Sequence, residues 1–155
     1  MPSDLWSFTL DVYARPGVEQ ACLALQANGA NVCMLLCGAW LMQRGVECSS
    51  HRLLEIGQLA RPWDEAVVSP LRQLRTHWRD AAQLDRPLAL LREQVKALEL
   101  AAEQELISRL EAVCQNWGTA EKSADQPDWL TELAGDAARQ NRDALQMLRV
   151  ATNRP

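Results

Sequence analysis

From Val32 to Met42 the chain runs for eleven residues without a charged side chain, an amide or a hydroxyl. That is about half of the ~20 apolar residues a membrane-spanning helix needs. Asn28, Gly29 and Asn31 separate it from the apolar run before it. A helix built from this stretch has no polar face to turn to solvent, so other elements must cover it on every side. The chain is therefore expected to fold around a central helix at about 32–44.

The residues available to cover that helix are helix formers. The 155 residues include 24 Leu and 22 Ala against 9 Val and 2 Ile, with one Tyr and one Phe beside six Trp. Strands favour β-branched and aromatic residues, whereas Leu and Ala favour helices. Pro16, Pro62, Pro87 and Pro127 fall where one periodic segment gives way to the next. The pattern predicts an all-α, single-domain bundle of about seven helices. Ser3 is placed as the cap of a first helix at about 4–15. A second runs to about Ala27 and stops at Asn28-Gly29. Asn31 caps the third, which Gly45 ends. Ser49 or Ser50 caps a fourth, expected to stop at Arg61-Pro62. The segment 63–83 contains Pro70, so a kink or break is expected near Ser69. Asp85 caps the longest helix, about 86–117. Its apolar seam runs Leu88, Leu91, Val95, Leu98, Ala102, Leu106, Leu110, Val113 and Trp117. After a polar loop at 118–127, a final helix at about 128–150 turns Leu130, Leu133, Ala137, Asn141, Ala144 and Leu148 inward. The chain divides into compact N-terminal helices (about 4–83) and a long antiparallel C-terminal pair (about 86–150). Neither part covers its own apolar face, so they form one domain.

Most familiar chemistry is excluded by spacing. The seven Gly never come closer than Gly38 and Gly45, which rules out GxGxxG, the P-loop and the GxSxG elbow. Lys96 and Lys122 are the only lysines, and His51 and His77 belong to no zinc-enzyme pattern. No catalytic residue, cofactor or metal is assigned, and an enzyme of unfamiliar type is the least supported class. Cys33 and Cys37 share a helical face that Cys22 could approach, a soft-metal arrangement in principle. Small cysteines also pack well in cores, and no nearby base lowers a thiol pKa; core packing is the reading adopted. Five cysteines in apolar runs, with no basic and apolar leader, point to reduced thiols and a cytoplasmic protein.

One basic feature stands out. Arg72, Arg75 and Arg79 recur at helical spacing, with His77 and Trp78 beside them and Arg61 and Arg86 near the ends. Such a stripe could hold a phosphate group, an acidic partner helix or RNA; paired with Asp64, Glu65 and Asp80 it would be only a solvated face. The net charge of −4 argues against a general nucleic-acid binder. Glu99, Glu103, Glu105 and Glu111 read as an acidic, solubilising outer face of the long helix. Trp6 and Tyr13 flank the first helix's inward stripe, where they either pack or line a groove.

The residues Leu5-Trp6-x-Phe8, Tyr13-Ala14-Arg15-Pro16-Gly17-Val18, Ala21-Cys22-Leu23-x-Leu25-Gln26 and Val32 to Leu36 resemble a family of small proteobacterial proteins of unknown function. The resemblance covers about residues 4–80, including Trp63 and Pro70-Leu71-Arg72, and is weaker beyond. Many members carry Asn where this chain has Cys33. It implies a bacterial, cytoplasmic, all-helical protein and transfers no activity, cofactor or site residue. Function is thus expected to be that of a non-enzymatic interaction or regulatory protein, with a protein partner or a homodimer and no membrane association. The alternative is a small-ligand or phosphate binder at the Arg72/Arg75/Arg79 face, with Arg61 and Trp78 nearby.

Overall fold

The computed structural model describes residues 4–118 and 128–152. Every regular element among them is helical. The proposed Ser3 cap, Pro127 and nearly all of the 118–127 loop lie outside the described residues.

Helices α1 (Asp4–Tyr13), α2 (Val18–Ala27) and α3 (Val32–Gln43) follow the predicted order. Asn31 caps α3 through its side-chain oxygen, which accepts from Met34 N–H at 3.1 Å, worth about 1 kcal/mol. Gly45 ends it at φ 73°, a left-handed turn that glycine takes without a side-chain clash. Met34 through Leu41 are buried without interruption, and α3 packs against α1, α2, α4, α7, α8 and α10. It is the central helix that its composition demands. Gly38 lets α8 come close, since a Cβ there would stand 2.6 Å from Leu133 Cδ1 and 3.3 Å from Trp129 Cβ. Trp129 is buried, stacks on Trp117 with ring centroids 6.2 Å apart, and donates its indole N–H to the Val46 carbonyl at 2.8 Å.

Two boundaries differ from expectation. Helix α4 (Ser50–Trp63), capped by Ser49, passes through Pro62 instead of stopping there. It continues through a π-helical turn (Asp64–Val68) into α5 (Ser69–His77), with right-handed helical dihedrals at Trp63, Asp64, Val68 and Ser69. Each proline removes one backbone donor. The wider turn accommodates this by bonding Ser69 N–H to the Asp64 carbonyl, five residues back. Residues 50–77 thus form one continuous helical path: the stop expected at Arg61-Pro62 is absent, and where a kink or break was expected near Ser69 the helix passes through the π turn that ends at Val68.

After the short α6 (Arg79–Ala82), α7 (Arg86–Cys114) starts at the Asp85 cap as expected. Its seam is only partly the predicted one. Val95, Ala102, Leu106 and Leu110 are buried, joined by Glu99, Ile107 and Cys114, whereas Leu91 and Leu98 are 49% and 57% exposed. Nor is α7 half of a C-terminal pair. It packs against α1, α3, α4, α5 and α6. The last segment, expected as one helix, divides into α8 (Trp129–Ala134), α9 (Asp136–Gln140) and α10 (Arg142–Thr152). Gly135 and Asn141 are the interruptions, and Asn141 turns its side chain to cap α10 at Ala144 N–H, 3.1 Å away. These helices pack on α2 and α3. The reason is apolar supply, because the all-round apolar α3 needs cover that α7 alone does not provide.

Candidate functional site

A cavity of about 480 Å³ opens where α1, the α2–α3 connection, the π turn with α5, and α7 meet. Helix α1 contributes Trp6, Thr9, Leu10 and Tyr13, the positions i, i+3, i+4 and i+7 that share one helical face. The start of α3 supplies Val32, Cys33 and Leu36. The π turn and α5 bring Asp64, Arg72 and Arg75, and α7 presents Glu99, Leu100 and Glu103. The π turn lies directly in this wall, through Asp64 and Val68.

The polar side of the cavity is an ion-pair cluster. Glu99 is 7% exposed, and both of its oxygens accept from Arg75, the Nη2 bond being 3.1 Å. Arg72 lies between Glu99 at 3.4 Å and Glu103 at 3.6 Å. Arg92 donates from Nε to the Arg75 carbonyl at 2.9 Å, holding α5 to α7 a second way. Burial pushes the Glu103 carboxyl above the usual carboxylate range and the Glu99 charge adds to that, outweighing the Arg72 guanidinium. The hydrogen bond to Glu99 in turn raises the Arg75 guanidinium, and the Glu99 charge adds to that. These pairs correct two expectations. Glu99 and Glu103 are not on a solubilising outer face, and the arginines pair with them instead of with Asp64, Glu65 and Asp80. A buried carboxylate needs such a partner, because an isolated charge in a low dielectric is costly.

Of the five residues singled out from the sequence, Arg72 and Arg75 meet in this cavity. Arg79 is exposed on α6, Trp78 is half-buried at the α5–α6 junction, and Arg61 is exposed with its guanidinium lying over Gly57; none of these three lines the cavity. Trp6 and Tyr13 do line it, which was one of the two readings open for them. Burial lifts the Tyr13 hydroxyl to about 12. Thr9 escaped notice in the sequence, yet it is 8% exposed and its Oγ1 has no hydrogen-bond partner among the described residues. Its spacing to Trp6 and Tyr13 was the available signal.

The cysteines do not converge as a trio. Cys37 instead meets Cys114 of α7, Sγ to Sγ 3.7 Å, inside the core. The hydrogen bond between them and then burial raise the Cys37 thiol, while burial lifts Cys22 to about 12, Cys48 to about 11 and Cys33 well above its ordinary value. Thiols so held stay protonated at neutral pH, the form that is a poor nucleophile. Among the described residues no three His, Cys, Asp or Glu side chains come together as a metal site, and no helix is long and apolar enough to cross a membrane.

Compared with known families, residues 4–110 match the one described as "Protein of unknown function (DUF2390)". The matched segment contains every residue that lines the cavity, and it extends beyond the stretch to about residue 80 on which the sequence resemblance rests. No curated protein matches the chain. No solved structure matches it either.

Proposed function

The chain belongs to the DUF2390 family, and from the cavity enclosed by its matched segment we propose that it is a small-molecule-binding helical domain. The observation that carries this reading is an open-mouthed cavity of about 480 Å³ in which a mainly apolar surface meets a set of paired polar groups. Ligand sites typically occupy ~300–1,000 Å³ and have that lining. The ligand reading drawn from the arginine stripe is thereby narrowed. Arg72 and Arg75 belong to the site and Arg79 does not, and their charges are already paired with Glu99 and Glu103, which disfavours a phosphate group.

A thermal-shift screen of small organic compounds tests it. A ligand at 100 times its Kd stabilises by ~2.7 kcal/mol, a rise of several degrees for a chain this size. The rise should vanish in Cys33→Trp, which fills the cavity from α3. A silent screen, or shifts undiminished in that variant, would overturn the proposal.

The exposed leucines favour a second reading, a contact with a protein partner or a second copy of the chain. Leu84, Leu90, Leu91 and Leu98 are 95%, 60%, 49% and 57% exposed along the first half of α7 and the turn before it. Sedimentation at high concentration should then show a dimer that Leu91→Glu with Leu98→Glu dissociates. A monomer throughout removes the homodimer.

A further inference from the structure

We propose that the cavity takes an uncharged amphiphile, a hydrocarbon carrying a hydroxyl, amide or carbonyl head, and that Thr9 bonds that head. This rests on the small-molecule reading above and adds the chemical class.

The first argument is charge. The lining holds three bases, Arg72, Arg75 and Lys96, and three acids, Asp64, Glu99 and Glu103. They cancel, and they are engaged with protein partners. Arg75 grips both oxygens of Glu99, Arg72 bridges Glu99 and Glu103, Lys96 reaches Glu93 at 3.4 Å, and Ser69 donates to Asp64 at 3.4 Å. An anionic head would have to take an arginine from Glu99, leaving a buried carboxylate without its partner. A cationic head would have to displace a guanidinium from Glu99 or Glu103, or draw Asp64 away from the Ser69 hydroxyl. A head without net charge faces neither cost.

The second argument is the Thr9 hydroxyl. A helical threonine commonly returns its hydroxyl to a carbonyl in the preceding turn. Thr9 does not, and its Oγ1 is buried without a partner in the wall that also carries Trp6 and Tyr13. A hydroxyl both donates and accepts, so it can serve an alcohol, an amide or a carbonyl. Rotation between the two χ1 rotamers that helical threonine uses exchanges Oγ1 with the methyl.

The third is the mouth. Leu10, Leu23 and Leu100 line the cavity while remaining 53%, 52% and 54% exposed. They come from α1, α2 and α7. Single exposed leucines are ordinary, but three converging from three helices on one opening make an apolar rim. That rim suits a hydrocarbon chain leaving the cavity.

The test uses four probes with one tail: decan-1-ol, decanoic acid, decyl phosphate and decyltrimethylammonium, titrated below their micellar concentrations into the full chain by calorimetry at pH 7.5. Decan-1-ol should bind at least about tenfold more tightly than any charged probe, and Thr9→Val should weaken it by roughly tenfold. Val is isosteric, so the melting temperature of the free variant should hold or rise, since it removes a buried hydroxyl without a partner. Charged probes that bind as tightly as the alcohol would overturn the ligand class, and an undiminished affinity in Thr9→Val would overturn the role of Thr9. If no probe binds while another compound stabilises the chain and loses its effect in Cys33→Trp, the amphiphile fails and the small-molecule reading stands. If both are silent, the two fall together.

Discussion

The central helix α3 and the segment α5–α6 with the first half of α7 are both helical, yet different forces hold them in place. In α3, eight consecutive residues are buried and five α-helices besides α7 surround it. In α5 and α6 no residue is buried, and α5 meets the rest of the fold chiefly at α7 and the π turn. The first is held by apolar burial at ~25 cal/mol per Å². The second is held by Arg75 and Arg72 on Glu99, and by Arg92 on the Arg75 carbonyl. The cavity lies where the two regimes meet, so its apolar wall is held by burial and its charged wall by a few directional bonds. Elements with little burial open locally at lower free energy than the core.

The comparison can be broken most forcefully in the body, the helices packed around α3. Trp129→Ala removes a buried indole, its bond to Val46 and its stacking on Trp117, and should cost about 3–5 kcal/mol, read as a single cooperative loss in a urea melt. Retention of wild-type stability would mean that α8 is not part of the core. Glu99→Ala comes next, at about 2 kcal/mol, because it takes the carboxylate from the half-buried Arg75 guanidinium and leaves Arg72 only its contact with Glu103. Its signature should be local. Hydrogen exchange should quicken in α5 while α3 keeps its protection. Equal acceleration in both would abolish the distinction between α3 and α5.

A third, smaller effect concerns the body thiols. Cys22 at about 12 and Cys48 at about 11 lie above the ordinary thiol value of 9.0. Their folded values are raised, so the stability they contribute is complete below pH 9 and lost as pH climbs through 11–12. The melting temperature should fall across that window, and less in Cys22→Ala with Cys48→Ala than in the parent. The smallest effect belongs to the charged wall. Since the Glu103 carboxyl is raised in the fold, ionising it opposes folding. Glu103→Gln should leave the protein unchanged or up to about 2 °C more stable at pH 7. A loss of several degrees would show that the Arg72 contact outweighs burial.

Where local physics decides, the sequence could be read directly. Asn31, Ser49 and Asp85 sit at helix starts because each short side chain accepts from an orphan N–H, and Val32 to Met42 announced the centre by lacking a polar face. The cavity was half-legible. Arg72 and Arg75 were visible as a stripe, and Trp6 with Tyr13 as groove candidates. Glu99 and Glu103 were not, since a carboxylate near the middle of a long charged helix looks the same whether a partner arginine lies across from it or only water. Thr9 was hidden for a similar reason, as a threonine on an apolar face gives no sign that its hydroxyl lacks a partner. The prolines misled, because each on its own argues for a break, while one π turn between them carries the helix through.

The all-helical class, the caps and the identity of the central helix therefore followed from the chain alone, because composition, periodicity and capping act within a few residues. Only the tertiary structure decided which helices meet. It set α7 beside α5 instead of the C-terminal segment, divided that segment into α8–α10 over α2 and α3, and brought Arg72 and Arg75 onto Glu99. Such choices turn on how much apolar face remains uncovered once the other helices are in place, and on which buried charge finds a partner. Both are properties of the assembled molecule that no local stretch of residues carries.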